Sequence, residues 1–138
     1  MSPRIACGLT AVTLLFAAPL AAQSESPDSL ALGRKYTAWF FDGQSDSLWN
    51  AMVEDTQGRV GGMEGIENMM DQVIDQIGEE TAVVSESAKI IDDGVLEYRR
   101  LAEFETAPER IVWIWRTNEE GQIVGAGIRP ESQAPPAH

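Results

Sequence analysis

The spacing of the apolar residues changes once along the chain. Between Leu30 and Ile77, apolar residues recur every three or four positions, which places them on one face of a helix. After Gly78, apolar and polar residues alternate, which is the pattern of a half-buried strand. Helices followed by a run of strands are typical of an α+β domain in which the helices cover one face of the sheet.

The first half of the chain predicts three helices. The predicted spans are 30–41, 46–54 and about 62–77. Asp28 or Ser29 can cap the start of the first helix, and Gly43 is placed to end it. The glycine-rich segment 56–65 predicts a flexible loop before the third helix.

The second half predicts four antiparallel strands joined by short turns. The predicted spans are 81–91, 95–105, 110–117 and 122–128. Asp92-Asp93-Gly94 is typical of a hairpin turn between the first two strands. We therefore expect three N-terminal helices packed on a curved four-stranded antiparallel sheet.

The two ends of the chain predict segments outside the folded domain. The N-terminus combines Arg4, an apolar run and small residues up to Ala22, which is the pattern of a cleaved signal peptide and predicts a periplasmic or secreted protein. No other apolar run is long enough to span a membrane. The predicted division is a signal peptide at 1–22, a polar lead-in at 23–29, a single α+β domain at 30–129 and a disordered tail at 130–138.

Composition excludes several kinds of chemistry. The chain carries 22 acidic and 10 basic residues, a formal net charge of −12, and such a surface repels nucleic acid. The only cysteine, Cys7, lies in the predicted signal peptide, and the only histidine, His138, ends the predicted tail. A catalytic triad or a histidine metal site needs a firmly held histidine, so we predict no metal and no cofactor.

Three segments resemble the nuclear transport factor 2-like (SnoaL-like, cystatin-like) superfamily of cone-shaped α+β domains. They are residues 39–49 (WFFDGQSDSLW), Tyr98-Arg99-Arg100 with Phe104, and residues 119–131 (EEGQIVGAGIRPE). The likeness is close to small bacterial extracytoplasmic domains found ahead of hydrolases or peptidases. The superfamily includes isomerases, cyclases and dehydratases beside members that only bind or dimerise, so the fold does not choose a function.

Arg100 is the candidate site residue that most needs an explanation, because it falls in the same row as Tyr98 on the inner side of the second strand. A buried guanidinium requires an acidic partner or an anionic ligand. An ion pair, an exposed arginine at a sheet edge and an anion-binding residue all remain open.

The candidate acidic partners of Arg100 are Asp42, Asp46, Glu54 and Asp55. The catalytic candidates are Tyr98, Arg100 and Asp42. The predicted ligand pocket is lined by Tyr36, Trp39, Phe40, Trp49, Tyr98, Arg100 and Phe104.

The last two strands add two observations. The third strand is apolar on both faces, and the helices can cover only one of them, so we expect a homodimer through Trp113 and Trp115, or through Val112 and Ile114. Gly125 and Gly127 alternate in the fourth strand, where glycine allows a close approach or a bend. We expect them to accommodate aromatic side chains of the first helix rather than to form a ligand groove.

The sequence predicts a non-catalytic extracytoplasmic domain that dimerises and holds a small amphipathic ligand or a protein partner. One alternative is a small isomerase, cyclase or dehydratase that uses Tyr98, Arg100 and a helix-end carboxylate. Another is an accessory subunit of an envelope hydrolase or peptidase.

Overall fold

Residues 27–137 form an α+β domain in which four helices lie on one face of a four-stranded antiparallel sheet. A computed structural model describes residues 27–137. The helices are α1 (Pro27–Phe41), α2 (Ser45–Ala51), α3 (Glu54–Arg59) and α4 (Gly62–Ile77). The strands are β1 (Glu80–Ile90), β2 (Leu96–Phe104), β3 (Ile111–Thr117) and β4 (Ile123–Pro130), and a short 3-10 turn follows at Glu131–Gln133. The predicted α+β class is confirmed, and the predicted number of helices is wrong.

The additional helix arises from a break that the helical pattern hides. The predicted helix at 46–54 is interrupted because Met52 and Val53 are extended, with ψ angles of 142° and 156°. Met52 forms a parallel bridge with Ile123, and the Val53 N–H donates to the Ile123 carbonyl at 3.1 Å. The chain then re-enters a helix, and α3 occupies the start of the predicted loop at 56–65.

Helix α1 begins earlier than predicted, at Pro27. Proline is tolerated in a first turn because its missing N–H would have no partner within the helix. Asp28 and Ser29 therefore lie inside the first turn rather than before it. Gly43 follows the helix with φ +72°, a backbone conformation that glycine adopts without strain, so the predicted end of α1 is confirmed.

The sheet is a simple meander in the order β1-β2-β3-β4. Asp93 and Gly94 both have positive φ at the turn after β1, as expected for a tight hairpin. The register pairs Tyr98 with Trp115 and Arg100 with Trp113, so these four side chains share the face that the helices cover. We call this the inner face, and its opposite the outer face.

The outer side of β3 is already covered within a single chain. Val112 and Ile114 are 6% and 5% exposed. The buried Glu97 carboxylate accepts a hydrogen bond from Arg116 at 2.9 Å, and Arg99 donates to the carbonyls of residues 135 and 136 at 2.6 and 3.3 Å. The third strand therefore needs no second copy to bury both of its faces, which removes the physical reason given for a homodimer.

Trp113 and Trp115 cannot serve as a dimer face, because both pack on the inner face in the core beneath the helices. This part of the sequence prediction is wrong. A homodimer through Val112 and Ile114 remains an untested prediction.

The predicted signal peptide at 1–22, with Cys7, and the terminal His138 lie outside the described residues. Residues 131–137, predicted as a disordered tail, run against the outer face, where the Ser132 hydroxyl donates to Glu109 at 2.6 Å. The division into lead-in, domain and tail stays a prediction. Between residues 27 and 137, none of the helices combines the length and the hydropathy needed to cross a membrane.

Candidate functional site

Arg100 is the centre of an ion-pair network on the inner face. Its Nε donates to Glu80 at 2.9 Å, and its Nη2 makes a second, short bond to the same carboxylate. Its Nη1 lies 3.3 Å from both Glu86 Oε1 and the Tyr98 hydroxyl. Arg34 of α1 reaches the other oxygen of Glu86 at 2.7 Å. The network thereby connects α1 to the first two strands.

The acidic partners predicted for Arg100 are wrong. Asp42, Asp46, Glu54 and Asp55 all lie exposed at helix ends, and none of them pairs with Arg100. The true partners come from β1: Glu86 lies directly opposite Arg100 in the register, and Glu80 reaches the same guanidinium. Register shifts in β1 between Glu80 and Ser85 bring this second carboxylate into place, and a regular alternation cannot anticipate them.

The electrostatics of the network favour a structural role. Burial by itself would lower the pKa of Arg100, but hydrogen bonds to Glu80 and Tyr98 outweigh it and hold that pKa above its ordinary value. Burial also raises the pKa of the Tyr98 phenol, and the neighbouring Arg100 offsets only part of the rise. A phenol with a raised pKa is a poor proton donor, and both carboxylates near it already bind arginine.

The predicted ligand pocket is largely filled by the core. Tyr36, Phe40, Tyr98 and Phe104 are buried, whereas Trp39 and Trp49 are half-buried. The Phe40 ring meets Trp113 edge-on at 4.7 Å, and the Tyr36 hydroxyl donates to the Gly121 carbonyl. Of the seven predicted lining residues, only Phe40 borders the open groove between α3, α4 and β4.

An open groove of about 370 Å³ lies between α3, α4 and the inner side of β4. The helical wall presents Leu48, Met52, Val60, Ile66, Met69 and Val73. The sheet wall presents Trp113, Trp115, Ile123, Ala126 and Ile128. Ala126 lies opposite Trp115 in the register yet is exposed, because the helices leave this part of the last strand uncovered.

Trp113, which borders the groove, carries an unsatisfied donor. Trp113 is 2% exposed, and its indole N–H is buried without any hydrogen-bond acceptor in the part of the chain that the structure describes. By contrast, the indole N–H of Trp115 donates to the Thr37 hydroxyl at 3.0 Å. A buried donor without a partner costs about 1–3 kcal/mol, so Trp113 marks a place where an acceptor would be stabilising.

Two arginines lie along the groove. Arg59 of α3 donates to the Val124 carbonyl of β4 at 3.0 Å and pairs with Asp55 at 3.3 Å, so it bridges the two walls. Arg129 of β4 is exposed and donates to the carbonyl of the preceding residue, Ile128, at 2.8 Å. Thr56 adds a buried hydroxyl to the same lining.

The alternating Gly125 and Gly127 of β4 lie beside the groove. The expectation that they accommodate aromatic residues of the first helix is wrong. A Cβ at Gly125 would meet Arg116 at 3.7 Å, and one at Gly127 would meet Ile114 at 3.9 Å, both on the outer face. The backbone of residues 125–127 borders the groove instead.

Comparisons of the chain with protein-family models, with curated proteins and with solved structures return no match. Across residues 27–137, no group of three or more His, Cys, Asp or Glu side chains is arranged to hold a metal ion. The groove and its lining therefore carry the functional interpretation.

Proposed function

We propose that this protein is a non-catalytic binding domain that holds a small amphipathic molecule in the groove between α3, α4 and β4. The observation that carries the proposal is an open, mainly apolar space of about 370 Å³ bordered by Trp113, whose buried N–H lacks an acceptor. Its volume falls in the range of roughly 300–1,000 Å³ that is typical of small-molecule sites. An apolar ligand matches this lining, and an oxygen acceptor that reached Trp113 would satisfy its N–H.

The groove wall has the properties of a binding surface. Met69 is 37% exposed beside the groove, so a ligand that covers it would bury further apolar surface. Met52 and Met69 have flexible side chains that can adapt to ligands of different shape. The Arg59 bond to Val124 holds α3 against β4, so the space has a fixed boundary on that side.

Binding is favoured over the isomerase, cyclase or dehydratase alternative. Tyr98 and Arg100, the residues that such an enzyme would use, are engaged with Glu80 and Glu86, and neither of them lines the groove. No contact favours a role as an accessory subunit of an envelope hydrolase. The proposal includes a cone-shaped nuclear transport factor 2-like fold and a periplasmic or secreted location, supported by the order of helices and strands and by the predicted signal peptide.

A neutral fluorescent probe tests the proposal without favouring any charge. N-phenyl-1-naphthylamine should gain fluorescence when it enters the apolar groove of the wild-type protein. Ala126→Trp should abolish this gain, because Ala126 is exposed on the groove wall and a large ring there fills the space. Ala82→Trp is the matched control, since Ala82 is exposed on β1 and does not line the groove.

Both variants should keep the wild-type circular dichroism and melting temperature, because neither position is buried. Equal probe binding by the Ala126→Trp variant and the wild type would place the binding elsewhere. Absence of any signal with the wild type would remove the proposed function.

A further inference from the structure

We infer that the ligand of the groove carries an anionic head, of the carboxylate class, that pairs with Arg129. This inference rests on the proposed function. It begins with the ion pairs of the other arginines. Between residues 27 and 137 there are seven arginines, and six of them pair with a carboxylate. Arg129 is the exception within this part of the chain.

The missing partner is notable because carboxylates are abundant. The chain carries 22 acidic residues and a net charge of −12, so an exposed arginine has many possible partners. Arg129 instead makes one hydrogen bond, to the carbonyl of Ile128. A guanidinium has five N–H donors arranged to bind a carboxylate through two parallel bonds, so most of its donors stay available to a ligand.

Arg129 lies at the rim of the groove. Its register position opposite Val112 belongs to the outer face, and its side chain folds back to the carbonyl of Ile128, which lines the groove. Arg129 borders the groove from β4, and Arg59 lines it from α3. The Arg59 side chain is balanced by the highly exposed Asp55, whereas none of the acidic residues between positions 27 and 137 lines the groove. The opening is therefore locally cationic on a strongly acidic protein, which attracts an anion there and disfavours it elsewhere on the surface.

The groove volume limits the size of the molecule. A space of about 370 Å³ corresponds to roughly a dozen water molecules at about 30 Å³ each. An apolar body of about that many heavy atoms with one charged end fits these dimensions. Medium-chain carboxylates are the chemical class with this combination of size, apolar body and anionic end.

Isothermal titration with three amphiphiles of equal chain length separates head charge from apolar burial. Decanoate, decanol and decyltrimethylammonium are each titrated below the concentration at which they form micelles. We expect decanoate to bind about tenfold more tightly than decanol, since one charged hydrogen-bonded pair contributes about that factor. Decyltrimethylammonium should bind most weakly, and added salt should weaken decanoate binding more than decanol binding.

Arg129→Gln should lower decanoate affinity about tenfold and leave decanol affinity unchanged. Arg129→Lys keeps the charge but not the paired donors, so its decanoate affinity should lie between those of the wild type and Arg129→Gln. Arg110→Gln is the control, because it changes the net charge equally while Arg110 lies outside the groove, in an exposed pair with Glu103. It should bind decanoate as the wild type does.

Equal binding of decanoate and decanol, or the same decanoate affinity in the Arg129→Gln variant and the wild type, overturns the anionic head and leaves the proposed function standing. Tighter binding of decyltrimethylammonium than of decanoate also overturns it. Failure of all three amphiphiles and of the neutral naphthylamine probe removes the proposed function together with this inference.

Discussion

Replacing Gly33 with alanine tests how closely α1 packs on the sheet. Gly33 faces the ring of Tyr98, and an added Cβ would lie 2.2 Å from the ring Cγ and 2.3 Å from Cδ2. Such contacts are ordinary only beyond 3.4 Å, so the helix and the ring must separate by more than an ångström. Tyr98 cannot turn away easily, because it is 2% exposed and its hydroxyl accepts a hydrogen bond from Arg100.

Two effects of opposite sign set the change in the free energy of unfolding that Gly33→Ala causes. Alanine is favoured over glycine inside a helix by about 1 kcal/mol. Overpacking a filled core costs about 1–3 kcal/mol, occasionally more, and an overlap with an aromatic ring belongs at the upper end. We therefore expect Gly33→Ala to lower the free energy of unfolding by about 2 kcal/mol, equivalent to a fall of about 8 °C in Tm.

Gly58→Ala in α3 is the matched control. A Cβ at Gly58 meets nothing within 4 Å and the residue is exposed, so only the helix preference applies and the protein should gain about 0.5–1 kcal/mol. Urea denaturation followed by tryptophan fluorescence and circular dichroism gives both free energies. A Gly33→Ala protein as stable as the Gly58→Ala protein would refute the packing described for α1 against Tyr98.

Four other predictions follow from the described contacts. Arg100→Met removes the cation from two partly buried carboxylates of β1 and should lower the free energy of unfolding, measured in urea, by about 2–3 kcal/mol. Arg110→Met breaks an exposed pair and should lower it by at most about 0.5 kcal/mol. Equal losses would contradict a central role for Arg100. Burial raises the pKa of both tyrosines above 10.0, so tyrosinate absorbance of the native protein should appear at higher pH than in the denatured protein. Because the folded pKa is the higher one, the tyrosines stabilise the fold below pH 10 and lose this effect as the pH rises further; a native titration midpoint at 10.0 would exclude it. Deleting residues 131–138 removes both carbonyls that accept hydrogen bonds from Arg99 and should lower the free energy of unfolding by about 1 kcal/mol. Light scattering of the full chain tests the predicted homodimer, which a mass of one chain would rule out.

The elements with the strongest periodicity were the most predictable. The stripe from Met63 to Ile77 predicted α4 with its bounds, because five apolar residues at spacings of three and four define a single buried face. The Asp-Gly turn predicted the first hairpin, since it needs residues that tolerate positive φ. Helix α3 escaped prediction because Met52 and Val53 leave the helix to pair with Ile123, a residue distant in the sequence.

The sequence likewise predicted part of the candidate site and missed the rest. The alternation of side chains along β2 was enough to place Tyr98 and Arg100 on one face, and the structure brings them into contact. The partners of Arg100 were beyond the sequence, because the register shifts in β1 decide which of its carboxylates reach the guanidinium. The groove was missed because its walls come from residues far apart in the chain.

The sequence by itself determined the class of the fold, the positions of most helices and strands, and which residues of β2 and β3 share a face, since these depend on local period and local turn chemistry. Only the tertiary structure decided that the aromatic residues fill the centre of the inner face, that Arg100 is held by Glu80 and Glu86, and that Arg129 stands beside an open groove without a carboxylate. Each of these depends on how far four helices extend across a four-stranded sheet, a distance that no local pattern specifies.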